Sequence, residues 1–372
     1  MSDTLSLAQL QAQTHAVLAV AAVLAALLGF LLQRSNFCTM GAVSDWVLMD
    51  DCSRARQWTM AVAVASLGFG LLAFIHGISP LNTIYNTPRW NWFSQLIGGF
   101  LFGVGMVLAS GCPSRALVRL AGGNLKSLVV LLVMAISALA TLKGLPAIWR
   151  VQVLDATAVD WTTGPFAAQW LACWTGWSVQ FSQSICAGTA GLAFLGWSLM
   201  GRSERMAAPL LPVAGVGAIT AALWWTSGVF GWVAEHPQTL EPVFLATGSA
   251  RMEALSFTAP LAHWLDALLY YSDGSKRLTM GMVLVPGVFL GALVSALLQG
   301  QWRKEGFTQI DDLIRHLLGA VLMGFGGVTA MGCSFGQGVS GLSTLNVGSL
   351  LALLAMLLGS WSALRWQLRG GA

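Results

Sequence analysis

GGFLFGVGMVLASGC, from Gly98 to Cys112, and LGAVLMGFGGVTAMGC, from Leu318 to Cys333, are two versions of one pattern. At a constant offset Gly98, Leu101, Gly103, Gly105, Val107, Ala109, Gly111 and Cys112 meet Gly319, Leu322, Gly324, Gly326, Val328, Ala330, Gly332 and Cys333. Each apolar segment therefore delivers a cysteine to the place where a glycine interrupts it.

The surrounding chain says what solvent these segments occupy. Of 372 residues 56% are hydrophobic and 9% charged, whereas an ordinary soluble domain is roughly 25% charged. The apolar runs are long enough for helices crossing roughly 30 Å of hydrocarbon, and the alternation of barrel strands is missing. An all-α integral membrane protein is expected. The opening MSDTLSLAQLQAQTHA lacks a basic stretch before the first apolar run, so that run reads as a retained span rather than a cleaved signal. The net charge of +4 is scattered over short loops and makes no nucleic-acid patch.

Apolar runs between breakers give about nine spans, at 16–33, 59–77, 93–110, 125–143, 168–200, 208–227, 279–299, 313–331 and 347–366. The fifth is too long for one straight span and reads as an approach helix followed by a crossing. Asn36–Leu48, Cys112–Leu120, Cys333–Leu342 and Ser256–Tyr270 are too short to cross. They read as re-entrant half-helices, which persist at membrane depth only where protein or water satisfies their backbone.

Lys and Arg set the orientation. Arg34, Arg54, Arg56, Arg115, Arg119, Lys126, Arg202, Arg205, Arg303 and Lys304, with Arg365 and Arg369 at the tail, fall on one side; Arg89, Lys143, Arg150, Arg251, Lys276 and Arg277 fall on the other. The positive-inside rule then places the amino terminus outside and the carboxyl terminus in the cytoplasm. Two four-span units, 1–150 and 206–372, joined by a linking span within 151–205, must therefore be inverted. Inverted units hold their substrate near the midplane, between broken helices.

At GCPSR the glycine turns the chain, Cys112 caps and Pro113 takes the first helical position, where a missing N–H costs nothing. Gly332, Cys333 and Ser334 repeat this before Phe335, Gly336 and Gln337, and in RSNFCTMGA Ser35 or Asn36 is positioned to cap a third half-helix with Cys38 in its first turn. A helix N-terminus attracts anions, and a thiol is a weak polarizable donor suited to a soft sulfur atom. Cys38, Cys112 and Cys333, with Ser114, Ser334 and Gln337 beside them, read as a path for a sulfur-bearing anion. Arg115 and Arg34 read as collecting charges at the inner mouth. Gly103, Gly105, Gly111, Gly324, Gly326 and Gly332 read as scaffolding for close helix packing.

Cys52, Cys173 and Cys186 have no matched partner and read as structural or incidental. Spaced Cys/His sets are missing, so neither a metal nor another cofactor is expected. His76, His236, His263 and His316 read as loop or interface residues, and Trp90, Trp92, Trp224, Trp225 and Trp232 as interfacial belts. Asp45, Asp266 and Asp311 are left open between burial and a mouth.

RSNFCTMGAVSDW at Arg34–Trp46, IGGFLFGVGMVLASGC at Ile97–Cys112 and MGFGGVTAMGCSFGQG at Met323–Gly338 resemble the YeeE/YedE family of sulfur transporters, whose characterised members take up thiosulfate. The resemblance runs over almost the whole chain. It implies an hourglass-shaped protein of the bacterial inner membrane in which three cysteines, here Cys38, Cys112 and Cys333, relay thiosulfate by S–H to sulfur hydrogen bonds. It also implies a TusA-like sulfur carrier protein as partner. One departure is visible: Pro113-Ser114-Arg115 stands where the thiosulfate-type members tend to carry a small, glycine-containing sequence, which implies a narrower or more positive inner constriction. Two classes stay open: a conductor of thiosulfate or a related sulfur or selenium species, and a membrane-embedded sulfurtransferase or redox protein in which a cysteine thiolate takes up sulfane sulfur as a persulfide.

Overall fold

A computed structural model describes residues 7–200, 210–273, 277–307 and 309–370. The expectations for Arg202, Arg205 and Lys276 lie outside those residues. The described chain is mostly helical. α1 (Leu7–Ser35), α2 (Thr39–Met49), α3 (Ser53–His76), α4 (Trp92–Leu108), α5 (Pro113–Ala121) and α6 (Leu125–Lys143) form its first part. The short α7 (Leu145–Trp149), then α8 (Ala167–Thr175) and α9 (Val179–Leu199), lead to α10 (Leu210–Trp225), α11 (Thr258–Leu269), α12 (Met280–Leu298), α13 (Ile310–Thr329) and α14 (Val347–Gly370). Between α13 and α14 runs a half-helix over 334–343, with a π turn at Gly336–Gly341. The only paired strands among the described residues are two-residue ribbons, such as Arg89–Trp90 against Val159–Asp160.

Seven helical stretches are long and apolar enough to cross a membrane: Leu7–Met49, Ser53–His76, Trp92–Ala121, Leu125–Lys143, Leu210–Phe230, Met280–Leu298 and Val347–Arg369. The protein is thus an all-α membrane protein. α9 and α13, the other two expected spans, are 21 and 20 residues long and more polar: α9 opens on Gln180, Ser182, Gln183 and Ser184, α13 on Asp311, Asp312 and Arg315. The long fifth run is split at Gly176, which takes φ 74 and ends α8.

The sequence repeat has a backbone counterpart. α4 ends with Ser110 at φ 57, the Ser110 N–H donating to Val107 O (3.2 Å) and the Gly111 N–H to Met106 O (2.8 Å). α13 ends with Met331 at φ 60, the Met331 N–H donating to Val328 O (3.0 Å) and the Gly332 N–H to Gly327 O (2.8 Å). Both are Schellman caps, which satisfy carbonyls left over at a helix C-terminus.

α4 and α13 run antiparallel with their backbones nearly touching. A Cβ on Gly98 would lie 2.5 Å from Ala330 N and 2.8 Å from Gly326 O, while one on Gly319 would lie 2.6 Å from Ala109 N and 2.7 Å from Gly105 O. Exchanging matched positions converts the first set into the second. In lipid, where apolar helices gain little from leaving their solvent, such close approach supplies the dispersion contacts that hold helices together. Gly103 and Gly324 do the same on the outer flanks, against Ser360 of α14 and Met134 of α6. Around this crossing α1 packs on α12 and α10 packs on α3.

One residue breaks the offset. Asn124 Oδ1 accepts from Ser127 N–H (3.1 Å) and Asn346 Oδ1 from Ser349 N–H (2.8 Å), so these asparagines cap α6 and α14 alike. The second lies one residue farther from its cysteine than the first. The π turn at Gly336–Gly341 absorbs that extra residue.

Two expectations are corrected. Trp224 is no belt residue: it is fully buried, and its indole N–H donates to Ser343 Oγ (3.0 Å), a partner found inside the bundle. Cys38 itself is the N-cap of α2, because Asn36 takes φ 50 and Ser35 turns its hydroxyl back to Leu31 O (2.7 Å), which leaves the next extended residue as cap.

Candidate functional site

Four half-helices, α2, α5, α11 and 334–343, converge on the bundle centre. A helix rises 1.5 Å per residue, so their roughly ten residues reach about 15 Å, half of the hydrocarbon core. Cys38 Sγ accepts from the Gly41 N–H (3.4 Å) at the start of α2. Cys112, fully buried, caps α5 in extended conformation ahead of Pro113, its Sγ 3.1 Å from Ser114 Oγ. Cys333, also buried, accepts from the Gly336 N–H (3.4 Å), and the Phe257 and Phe335 amides face the same sulfur. Cys112 lies within electrostatic range of both Cys38 and Cys333.

Apolar rings close the gaps. The Phe335 ring meets Phe37 edge-on at 5.5 Å and Phe257 at 5.7 Å, joining residues adjacent to Cys38, Thr258 and the Cys333 turn. The Tyr85 hydroxyl donates to Gly336 O and ties the 334–343 half-helix to the 77–91 segment. Ser334 and Gln337 are buried; the Gln337 amide donates to Ala330 O (2.7 Å), while the Ser334 hydroxyl and the Gln337 carbonyl oxygen have no hydrogen-bond partner. A Cβ on Gly111 would meet the Arg115 side chain at 3.2 Å, and one on Gly332 the Gln337 side chain at 3.2 Å. These two glycines thus keep room at the breaks for the side chain that follows.

The two ends of the site differ. At one end Arg115 donates to Asn36 Oδ1 (3.2 and 3.3 Å), Arg119 donates to Ser110 O (3.1 Å), and Arg54 pairs with Asp45 (3.2 Å) while its guanidinium lies over the first turn of α2. At the other, a cavity of about 390 Å³ runs past Arg150, Glu253, His263 and Ser256 to Gly332. Arg34, by contrast, lies over the Phe30 ring of its own helix (5.1 Å). Asp266, buried, pairs with Lys143 (2.8 Å), and Asp311 sits in the first turn of α13. His316 is buried against Asp312 (3.0 Å) rather than placed in a loop. Cys52 caps α3 beside an apolar cavity that Thr39 and Trp58 share, Cys173 is exposed and Cys186 half-buried. Among the described residues no His, Cys, Asp and Glu cluster is placed to hold a metal.

Sequence reasoning missed Arg54 as a neighbour of Cys38, Thr39 and Thr258 at half-helix starts, and the phenylalanine trio. The Phe-Cys-Thr and Phe-Thr dipeptide contexts were visible; only the fold brings them to one place.

These features define an α-helical membrane protein built around a thiol-bearing break in its helices. The chain belongs to the sulphur-transport family, whose model matches residues 34–362. It is similar to the thiosulfate transporter TsuA of Escherichia coli K12, 28% identical over 356 residues, 91% of each chain. It is similar as well to the thiosulfate transporter TsuA of Spirochaeta thermophila, 26% identical over 349 residues, 90% of this chain and 94% of the relative.

Proposed function

We propose that the protein conducts thiosulfate, or a closely related sulfur anion, across the inner membrane along Cys333, Cys112 and Cys38. Two buried thiols at the same register of two matched, broken helices carry this reading. An anion at membrane depth needs compensation, and each half-helix N-terminus presents about half a positive charge. Four such termini roughly balance a dianion by partial charges alone, so the ion is held weakly enough to leave. The thiol partners seen here are a hydroxyl and backbone amides, not a histidine or carboxylate that would draw off a proton, which favours conduction over persulfide chemistry. Uptake of radiolabelled thiosulfate into proteoliposomes, with sulfate and selenite as competitors, tests the reading; absence of uptake above empty liposomes rejects it.

The same reading makes α9 and α13 spans, nine in all, with inverted units 1–150 and 206–372 and the amino terminus outside. A thiol placed by Arg303→Cys is then expected to react with an impermeant maleimide only from the cytoplasmic face, and one placed by Arg89→Cys only from outside. Reaction of both from one face contradicts the inversion. A TusA-like sulfur carrier would meet the cytoplasmic mouth.

Arg115 sits in the first turn of α5 and adds its charge to the positive end of that helix. Arg115→Ala is expected to raise the half-saturating thiosulfate concentration by roughly threefold to tenfold and to flatten its dependence on ionic strength, at unchanged protein abundance. Unchanged half-saturation assigns Arg115 to lipid headgroups instead.

A further inference from the structure

The fourth half-helix, α11, carries no cysteine, yet its first residue repeats a feature of the other three. Thr39 opens α2, Ser114 is second in α5, Thr258 opens α11 and Ser334 opens the 334–343 half-helix. All four are buried. Ser114 pairs with the Cys112 thiol, whereas the hydroxyls of Thr39, Thr258 and Ser334 have no hydrogen-bond partner.

The buried hydroxyls of Ser66, Ser182 and Ser349 also lack a hydrogen-bond partner, but none of them opens a half-helix. Inside the helices Thr220, Thr226 and Thr329 return their hydroxyls to the carbonyl four residues back, at 2.9, 2.7 and 2.8 Å. At the first position of a helix no such helical carbonyl exists, so the hydroxyl stays available, and Val would fill the same space without an orphan donor. Thr258 is 1% exposed and pressed against Gly327 of α13, where a Cβ would lie 2.8 Å from Oγ1. The amide just before it, that of Phe257, faces the Cys333 sulfur. The outer cavity is lined by Ser256, Ala259, Gly327 and Gly332, residues on either side of this point.

We propose that Thr258 is a substrate contact, its hydroxyl donating to a sulfonate oxygen of the anion while the terminal sulfur lies against the Cys333 thiol. The inference rests on the transport reading above and adds its selectivity. Thiosulfate has a soft end and a hard end; a thiol matches the first, and a hydroxyl beside a helix N-terminus matches the second. A site offering both prefers an anion that carries both over sulfate, which lacks the soft end.

Thr258→Val, which keeps the shape and removes the donor, Thr258→Ser, which keeps the donor, and Thr258→Cys, which makes it soft, separate contact from packing. Each variant is purified in detergent for calorimetric titration with sodium thiosulfate and reconstituted for uptake. Thr258→Val and Thr258→Cys are expected to raise both Kd and half-saturating concentration about tenfold, the size of one hydrogen bond to an anion. The maximal rate should stay within about twofold, and Thr258→Ser should match wild type. Wild-type constants in both Thr258→Val and Thr258→Cys overturn the proposal, as does a Thr258→Ser protein as weak as Thr258→Val. Should wild type bind thiosulfate without carrying it, the transport reading falls and the Kd comparison still decides Thr258; a wild type that binds none overturns both.

Discussion

Cys112→Ala and Cys333→Ala are each expected to cut thiosulfate uptake at least about tenfold while leaving folded protein intact. Each change removes a thiol donor from the buried end of a half-helix. The folding cost is small, because Cys to Ala deletes a single atom from a core that otherwise keeps its volume, about 1 kcal/mol. The lost interaction is worth more, since a charged partner left without its donor in a dry site costs about 1.5–3 kcal/mol, a factor of roughly ten to a hundred. Cys38→Ala is expected to do less, because Cys38 is half-buried whereas Cys112 and Cys333 are buried. Cys52→Ala, Cys173→Ala and Cys186→Ala should transport normally, since none of the three stands at the start of a half-helix. Normal uptake by the Cys112/Cys333 double variant contradicts the path.

Gly326→Val carries a large expected structural effect at the crossing of α4 and α13. A Cβ there would lie 2.5 Å from Gly98 O and 2.6 Å from Phe102 N, backbone atoms of α4 that have nowhere to move. Overpacking of this kind costs about 3 kcal/mol or more, and a membrane bundle whose central crossing is pried apart loses its packing on both flanks. Loss of the monodisperse peak in detergent, or a melting temperature lowered by roughly 10 °C, is the expected result. Gly105→Val and Gly319→Val should behave alike, since Gly105 and Gly319 face each other as Gly326 and Gly98 do. Gly196→Val, where nothing lies within 4 Å, is the control and should leave the bundle unchanged. An unaltered melting temperature for Gly326→Val would show that α4 and α13 do not cross at these glycines.

What the residues alone disclosed, and what they hid, has a physical pattern. Seven of the nine expected spans were legible because hydrocarbon leaves only helices as an option, and glycine marked where α4 and α13 stop; the matched Gly-Cys blocks became matched Schellman caps. The half-helix at Ser256–Tyr270 was legible by length, and α11 occupies Thr258–Leu269. Trp224 was misread because a tryptophan near a span end is usually interfacial, and only the fold supplies Ser343 as its partner. The capping role of Cys38 was hidden because Ser35 and Asn36 are the stronger capping types, and it took the left-handed turn at Asn36 to pass the position on. The π turn was hidden because a single inserted residue leaves the matched Gly-Cys blocks themselves in register. Contacts between distant segments, such as Phe37 with Phe335 or Arg115 with Asn36, had no local signal at all.

The claim that matters most is that the ion crosses whole, handed between thiols by hydrogen bonds and never bonded to one. Purified protein in proteoliposomes is given thiosulfate labelled with radioactive sulfur at the terminal position and with heavy oxygen on the sulfonate, and the lumen is analysed after uptake. Equal recovery of both labels as intact thiosulfate, with no sulfur left on Cys112 or Cys333 by intact-protein mass, is the predicted result. Terminal label retained on a cysteine, with sulfite released from the other half of the ion, would contradict it and make the protein a sulfurtransferase.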